Sequence, residues 1–305
     1  MKRFVRIVLT ATVALFAGNV FAQDMNQAGE LYQKAVETYQ AGNELEAVKN
    51  FKEALKIAEG AGEEGAEMVA NCKDMIPQIL LAAAGKFVGA KDYAKAEEIF
   101  KEVVTLGRQF GNEDIAKKAE LTLTQIPMQA GADALNNGNT AEAISLFGKA
   151  VELNPENATA YLYLGMAHNS ADNTDEAEKA LLKAKELGND KAEQALIGMF
   201  INNANDNYKA KNFKDAITFA EKALAFGANP SASQIAGVSA YNLKNWSKAA
   251  THLKNAPSNS QFTYMIGTCY ENLGNKAQAC AFLKKIVNDA KFGANAKAKV
   301  AKLGC

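Results

Sequence analysis

The chain has 305 residues, with 34 Lys and Arg against 34 Asp and Glu, and 48% hydrophobic residues. Such a balance argues against nucleic-acid binding, which needs a basic footprint. With only 5 prolines and no alternating β-branched runs, the composition is that of an all-helical protein.

The first segment reads as a leader. Lys2, Arg3 and Arg6 precede an apolar run from Ile7 to Ala17, and Val20-Phe21-Ala22 offers a small-residue cleavage site. That is the layout of a secretory signal peptide over residues 1–22, with the mature chain starting near Gln23. The run is too short for a membrane span of about 20 residues, and no later stretch is apolar enough to be one. No cysteine follows the expected cut, so a lipid anchor is not expected. Removing the leader leaves 31 basic against 34 acidic residues, a net charge of −3. The expected location is the periplasm, or another compartment reached by export.

Beyond the leader, small residues recur where second helices of hairpins would open, and phasing on them gives seven units over residues 23–305. The first two are about 28–61 (Leu31, Ala35, Ala47, Phe51, Ala54) and 77–110 (Leu80, Ala84, Ala96, Phe100, Val103). The residues ahead of the second and third units, 62–76 and 111–123, are themselves helical in pattern, and each leads into a proline, Pro77 or Pro127. Proline removes a backbone hydrogen bond. The inserts are therefore either the starts of long, kinked first helices or separate helices that the prolines end.

The third and fourth units, 124–157 and 158–191, carry the clearest pattern. Ala130-Gly131 aligns with Leu164-Gly165, Ala143 with Ala177, Phe147 with Leu181 and Ala150 with Ala184, every pair at one spacing. Tyr161, Leu164 and His168 share a helical stripe. Thr174, followed by Asp175 and Glu176, reads as an N-cap. The remaining units are 197–229 (Phe200, Ala204, Ala216, Ala220), 230–259 (Ala236, Gly237, Ala249, Leu253) and 260–290 (Ile266, Gly267, Ala279, Leu283). A short helix at 294–303 would cap them.

This small/large alternation at a spacing of about 34 residues resembles the tetratricopeptide repeat (TPR), a helix–turn–helix unit. The resemblance implies a right-handed α-solenoid of about seven hairpins with a C-terminal capping helix. It also implies binding of a protein or peptide along first-helix residues that line a groove. Carried over by position, these are Tyr32, Val36 and Tyr39; Leu162, Met166 and Asn169; Asn205, Tyr208 and Lys209; Gln234, Tyr241 and Asn242; and Gln261 and Tyr264. The tyrosines suit recognition, and they equally suit packing between neighbouring first helices. The fifth unit keeps Asn205 but has Ile201 where a carboxylate-gripping lysine would stand, so the clamp of some family members is not expected. Self-association is open.

No catalytic constellation is present in the sequence, so no enzymatic activity, cofactor or metal is expected. His168 reads as a packed helix residue and His252 as an exposed one, neither with a ligand at metal spacing. An interaction scaffold in envelope assembly is the leading reading. A glycan-binding protein and a hydrolase with an unrecognised site are the alternatives, the former weakened by the single Trp246. Of the four cysteines, Cys280 opens the last second helix and Cys305 follows the cap. An antiparallel cap would bring them together as a disulfide, with Cys269 as the rival partner for Cys280 and Cys72 left free.

Overall fold

Ala, Leu, Glu and Lys favour helix, and each helix carries an apolar stripe that it must bury on a neighbour. A computed structural model describes residues 20–305, so residues 1–19 of the expected leader lie outside it. Among the described residues there are fifteen α-helices and no strand. The chain is an all-α solenoid of successive antiparallel helices, divided into two compact units, residues up to Asp133 and residues from Ala134.

The first unit holds α1 (Val20–Gln40), α2 (Glu44–Gly60), α3 (Ala66–Gly89), α4 (Tyr93–Gln109) and most of α5 (Glu113–Asn136). A 3₁₀ turn, Gly62–Gly65, links α2 to α3. Its core joins Phe51, Ile76, Ile79, Leu80, Phe100 and Val103, with Ala35, Ala54, Ala84, Ala96 and Ala119 where helices approach closely. Of the two sequence alternatives for the inserts, the continuous one is observed. α3 and α5 are single helices of 24 residues that run through Pro77 and Pro127. Pro77 cannot donate to the Lys73 carbonyl, and the Asn112 side chain does so instead at 2.9 Å.

The second unit continues with α6 (Thr140–Leu153), α7 (Ala158–Ser170), α8 (Thr174–Glu186), α9 (Ala192–Lys209), α10 (Phe213–Leu224), α11 (Pro230–Asn242) and α12 (Trp246–Lys254). It ends with α13 (Ser260–Asn272), α14 (Lys276–Leu283), a 3₁₀ turn and α15 (Gly293–Leu303). Three hairpins repeat one contact. A Cβ built on Gly165, Gly237 or Gly267 would lie 2.6, 2.7 or 2.7 Å from Cγ of Leu181, Leu253 or Leu283. Only glycine lets these helix pairs close over the leucine. Ala296, Val300 and Leu303 of α15 pack on Leu283 and Ile286. The Cys280–Cys305 disulfide, Cα atoms 6.1 Å apart, ties the chain just after α15 to the middle of α14, rather than to its start, because α14 already begins at Lys276.

One signal recurs at every hairpin turn. Gly42, Lys91, Gly138, Asp172, Lys211, Lys244 and Gly274 all adopt positive φ. Each is followed by the N-cap of the second helix: Asn43, Asp92, Asn139, Asn173, Asn212, Asn245 and Asn275. The N–H of each capping residue bonds back into the first helix, as from Asn173 to the His168 carbonyl at 3.0 Å. The left-handed residue therefore ends one helix as its neighbour starts the next. This corrects the cap of α8, which is Asn173 rather than Thr174. Asparagine reaches the required backbone geometry, whereas Thr174 is already helical.

Candidate interaction surface

The sequence-derived groove residues separate by environment. In the first unit, Tyr32 packs edge-on against Phe51 with ring centroids 5.1 Å apart, and Val36 packs on the same core. Only Tyr39 of that set is open, at 38% exposure. The first unit also has a hollow of about 420 Å³ beside the second helices, floored by Leu45, Val48 and Leu80 and edged by Lys49, Lys52 and Lys56.

In the second unit, Leu162 does not belong to a groove. It is 5% exposed and sits in the core with Leu181, Leu196 and Met199. Its position on α7 faces α9, and the stacking of that helix covers it. Met166 and Asn169, by contrast, line one hollow of about 120 Å³ with Leu135, Ser170, Ala195 and Met199. Met166 remains 40% exposed there. The hollow has an apolar floor and a hydroxyl and an amide at its edge. The sequence reading missed Leu135, Ser170, Ala195 and Met199, which three different helices bring together.

The other candidates do not join that hollow. Asn205 is half-buried on α9, while Lys209 is exposed and pairs with Asp206 at 3.2 Å. Tyr208 leans on Phe213, centroids 5.9 Å apart. Gln234 and Gln261 are exposed. The Asn242 amide donates to the Val238 carbonyl of its own helix. Tyr241 packs edge-on against Trp246 at 5.4 Å, and Tyr264 stacks on Phe292 at 5.6 Å. Burial pushes the Tyr241 hydroxyl above the ordinary tyrosine range. These two tyrosines serve packing, the second of the roles the sequence allowed.

Charged pairs knit the second helices together. Lys222 of α10 reaches Glu178 of α8 at 2.6 Å. Glu221 takes Lys248 at 2.8 Å and His252 at 3.0 Å, both from α12. Burial alone would raise the Glu221 carboxyl, but the hydrogen bonds from Lys248 and His252 hold it below the usual glutamate range. His252 is thus not an exposed residue: its side chain is 14% exposed, because α10 lies against that face of α12. His168 is half-buried on α7, with Nδ1 enclosed. The Cys72 and Cys269 thiols are free and buried, and burial pushes each up to about 12. Among the described residues, no group of His, Cys, Asp and Glu could hold a metal, and no helix is long and apolar enough to cross a membrane.

Antiparallel hairpins with small residues at the crossings and an open first-helix hollow define a helical-repeat scaffold. Residues 128–192 match the tetratricopeptide repeat family, and residues 209–286 match a family described as anaphase-promoting complex, cyclosome, subunit 3. The chain is a tetratricopeptide-repeat protein. No curated protein matches the sequence. Among solved structures, a TPR repeats protein from Bacteroides fragilis is 20% identical, over 75% of this chain and 97% of that one, with a TM-score of 0.39. MamA protein is 20% identical over 56% of this chain and 94% of that one, with a TM-score of 0.36. YrrB, described as a TPR protein with an unusual peptide-binding site, is 19% identical over 57% and 91%, with a TM-score of 0.33.

Proposed function

We propose that the chain is an exported scaffold that binds a protein or peptide partner at the Met166–Asn169 hollow, in the assembly of the cell envelope. The observation that carries the reading is the exposed Met166 side chain beside Leu135, Ala195 and Met199, with Asn169 and Ser170 at the edge. Recognition sites combine an apolar floor with a few placed polar groups, and methionine adapts its shape to an apolar anchor. A partner side chain of leucine or methionine size fits a space of about 120 Å³. Export rests on the leader reading of residues 1–22.

Two measurements test this. A photo-crosslinking amino acid at Met166 should trap a discrete partner in intact cells, whereas the same group at exposed Lys179 on α8 should not. Identical adduct patterns at both positions would refute the hollow as the binding site. N-terminal mass analysis should find the mature chain starting near Gln23, and soluble cytoplasmic protein retaining Met1 would refute export.

A further inference from the structure

The charge of the chain is balanced only in total. From Lys276 to Cys305 there are seven lysines and a single acid, Asp289. From Asp24 to Asp133 there are nineteen acids against twelve bases. Within the basic segment, the one carboxylate is already committed, since Asp289 accepts from the backbone N–H groups of Lys291 and Phe292. Lys299 and Lys302 share Glu271 of α13. Lys285 and Lys291 lie over the Phe282 and Phe292 rings at 4.9 and 5.4 Å. Lys284 and Lys297 are exposed and have no ion pair among the described residues.

The complementary surface is the α2–α3 connection of the first unit. Between Ile57 and Cys72 there are four acids, Glu59, Glu63, Glu64 and Glu67, and no basic residue. Glu59 pairs with Lys73 at 2.8 Å. Glu63, Glu64 and Glu67 are exposed, with no cationic partner among the described residues; the first two lie in the 3₁₀ turn and the third in the first turn of α3.

We infer that the chain self-associates head to tail, the lysine-rich α14–α15 segment of one copy docking on the Glu59–Glu67 turn of the next. This surface is separate from the Met166 hollow and does not rest on it. The favoured occupant is a second copy because both halves of the charge match are on the same chain. A contact between two different patches is heterologous, so it propagates into rings or chains rather than stopping at a two-fold dimer. Each exposed pair contributes little, so association is weak, cumulative and sensitive to salt.

Sedimentation velocity of the protein purified from cells tests this at about 0.01 M and about 1 M salt, where charges are screened over about 30 Å and about 3 Å. Concentration-dependent larger species are expected at low salt only. Glu63→Lys/Glu64→Lys/Glu67→Lys, and separately Lys284→Glu/Lys285→Glu/Lys297→Glu, should each remain monomeric. Mixing the two variants should restore association, because each then presents the charge the other needs. All six positions are exposed, and thermal melts check that both variants stay folded. A wild-type monomer at low salt, association unaffected by salt, or variants that fail to complement would overturn the inference. So would binding of the lysine-rich segment to anionic phosphatidylglycerol vesicles by a chain that stays monomeric.

Discussion

The side-chain amide of Asn112, in the turn between α4 and α5, hydrogen-bonds the Lys73 carbonyl of α3 at 2.9 Å. Lys73 lies four residues before Pro77, which has no N–H to give it. The insertion that lengthens α3 would otherwise leave a partly buried acceptor unmet. A residue 39 positions away closes that gap, so the proline helix and the next turn are coupled.

Asn112→Ala is therefore expected to cost about 1–3 kcal/mol, the penalty of an unsatisfied buried acceptor. Pro77→Ala gives the helix its own donor back. In that background the same Asn112→Ala change should cost measurably less. A double-mutant cycle from denaturant midpoints reads the coupling, and additive costs would show that the amide does not replace the missing N–H.

The glycine contacts give a contrasted pair. Gly165→Ala places a methyl 2.6 Å from Leu181 Cγ, so it should overpack the α7–α8 hairpin by about 1–3 kcal/mol. Gly148 of α6 has open space around its absent Cβ. There, Gly148→Ala should stabilise by about 0.5–1 kcal/mol through helix propensity and a less flexible unfolded chain. Thermal midpoints that move in the same direction for both would reject the close approach at Gly165.

How much of this molecule is legible in its sequence depends on how local each signal is. Ala143, Phe147, Ala177 and Leu181 announce the repeat, because small and large residues seldom recur by chance at one fixed spacing. The seven left-handed turn residues with their Asn or Asp successors are equally local, but they sit among polar residues and attract no notice until their φ values are seen. The hollow is harder. Met166 and Asn169 follow from position on α7, yet Leu135, Ala195 and Met199 come from α5 and α9, and only stacking decides their company. Leu162 shows the same limit: one helical step separates an open position from one covered by α9. The Asn112–Lys73 bond has no sequence signal at all.

Glu271 should make the last hairpin acid-sensitive. The hydrogen bond from Lys299 foremost, with the charges of Lys299 and Lys302, holds its carboxyl below the ordinary glutamate range against the effect of burial. A folded-state pKa below the unfolded one contributes stability above the unfolded value, and that stability is lost as pH falls through the folded value. Melting temperatures of wild type and Glu271→Gln should differ by a constant amount at neutral pH. The gap should close on acidification below the ordinary glutamate range. A gap that persists into strong acid would show that the loss comes from packing rather than charge.

The Cys280–Cys305 bond should act locally. It closes a separation of 25 residues, for which the chain-entropy model gives about 3.5 kcal/mol. Because helical repeats contact only their neighbours, that stabilisation acts mainly on α14 and α15 rather than on the whole chain. Cys305→Ser, or reduction, should therefore raise hydrogen exchange of the α15 amides while leaving α7 to α10 unchanged. The other two thiols supply the control. Cys72 and Cys269 are buried and shifted up to about 12, so at neutral pH they are protonated and shielded. A thiol reagent should label none of the cysteines in the folded, unreduced protein and two after denaturation. It should label all four only when reductant is added. Four reactive thiols without reductant would show that the bridge does not form, and α15 would then be held by Ala296, Val300 and Leu303 alone.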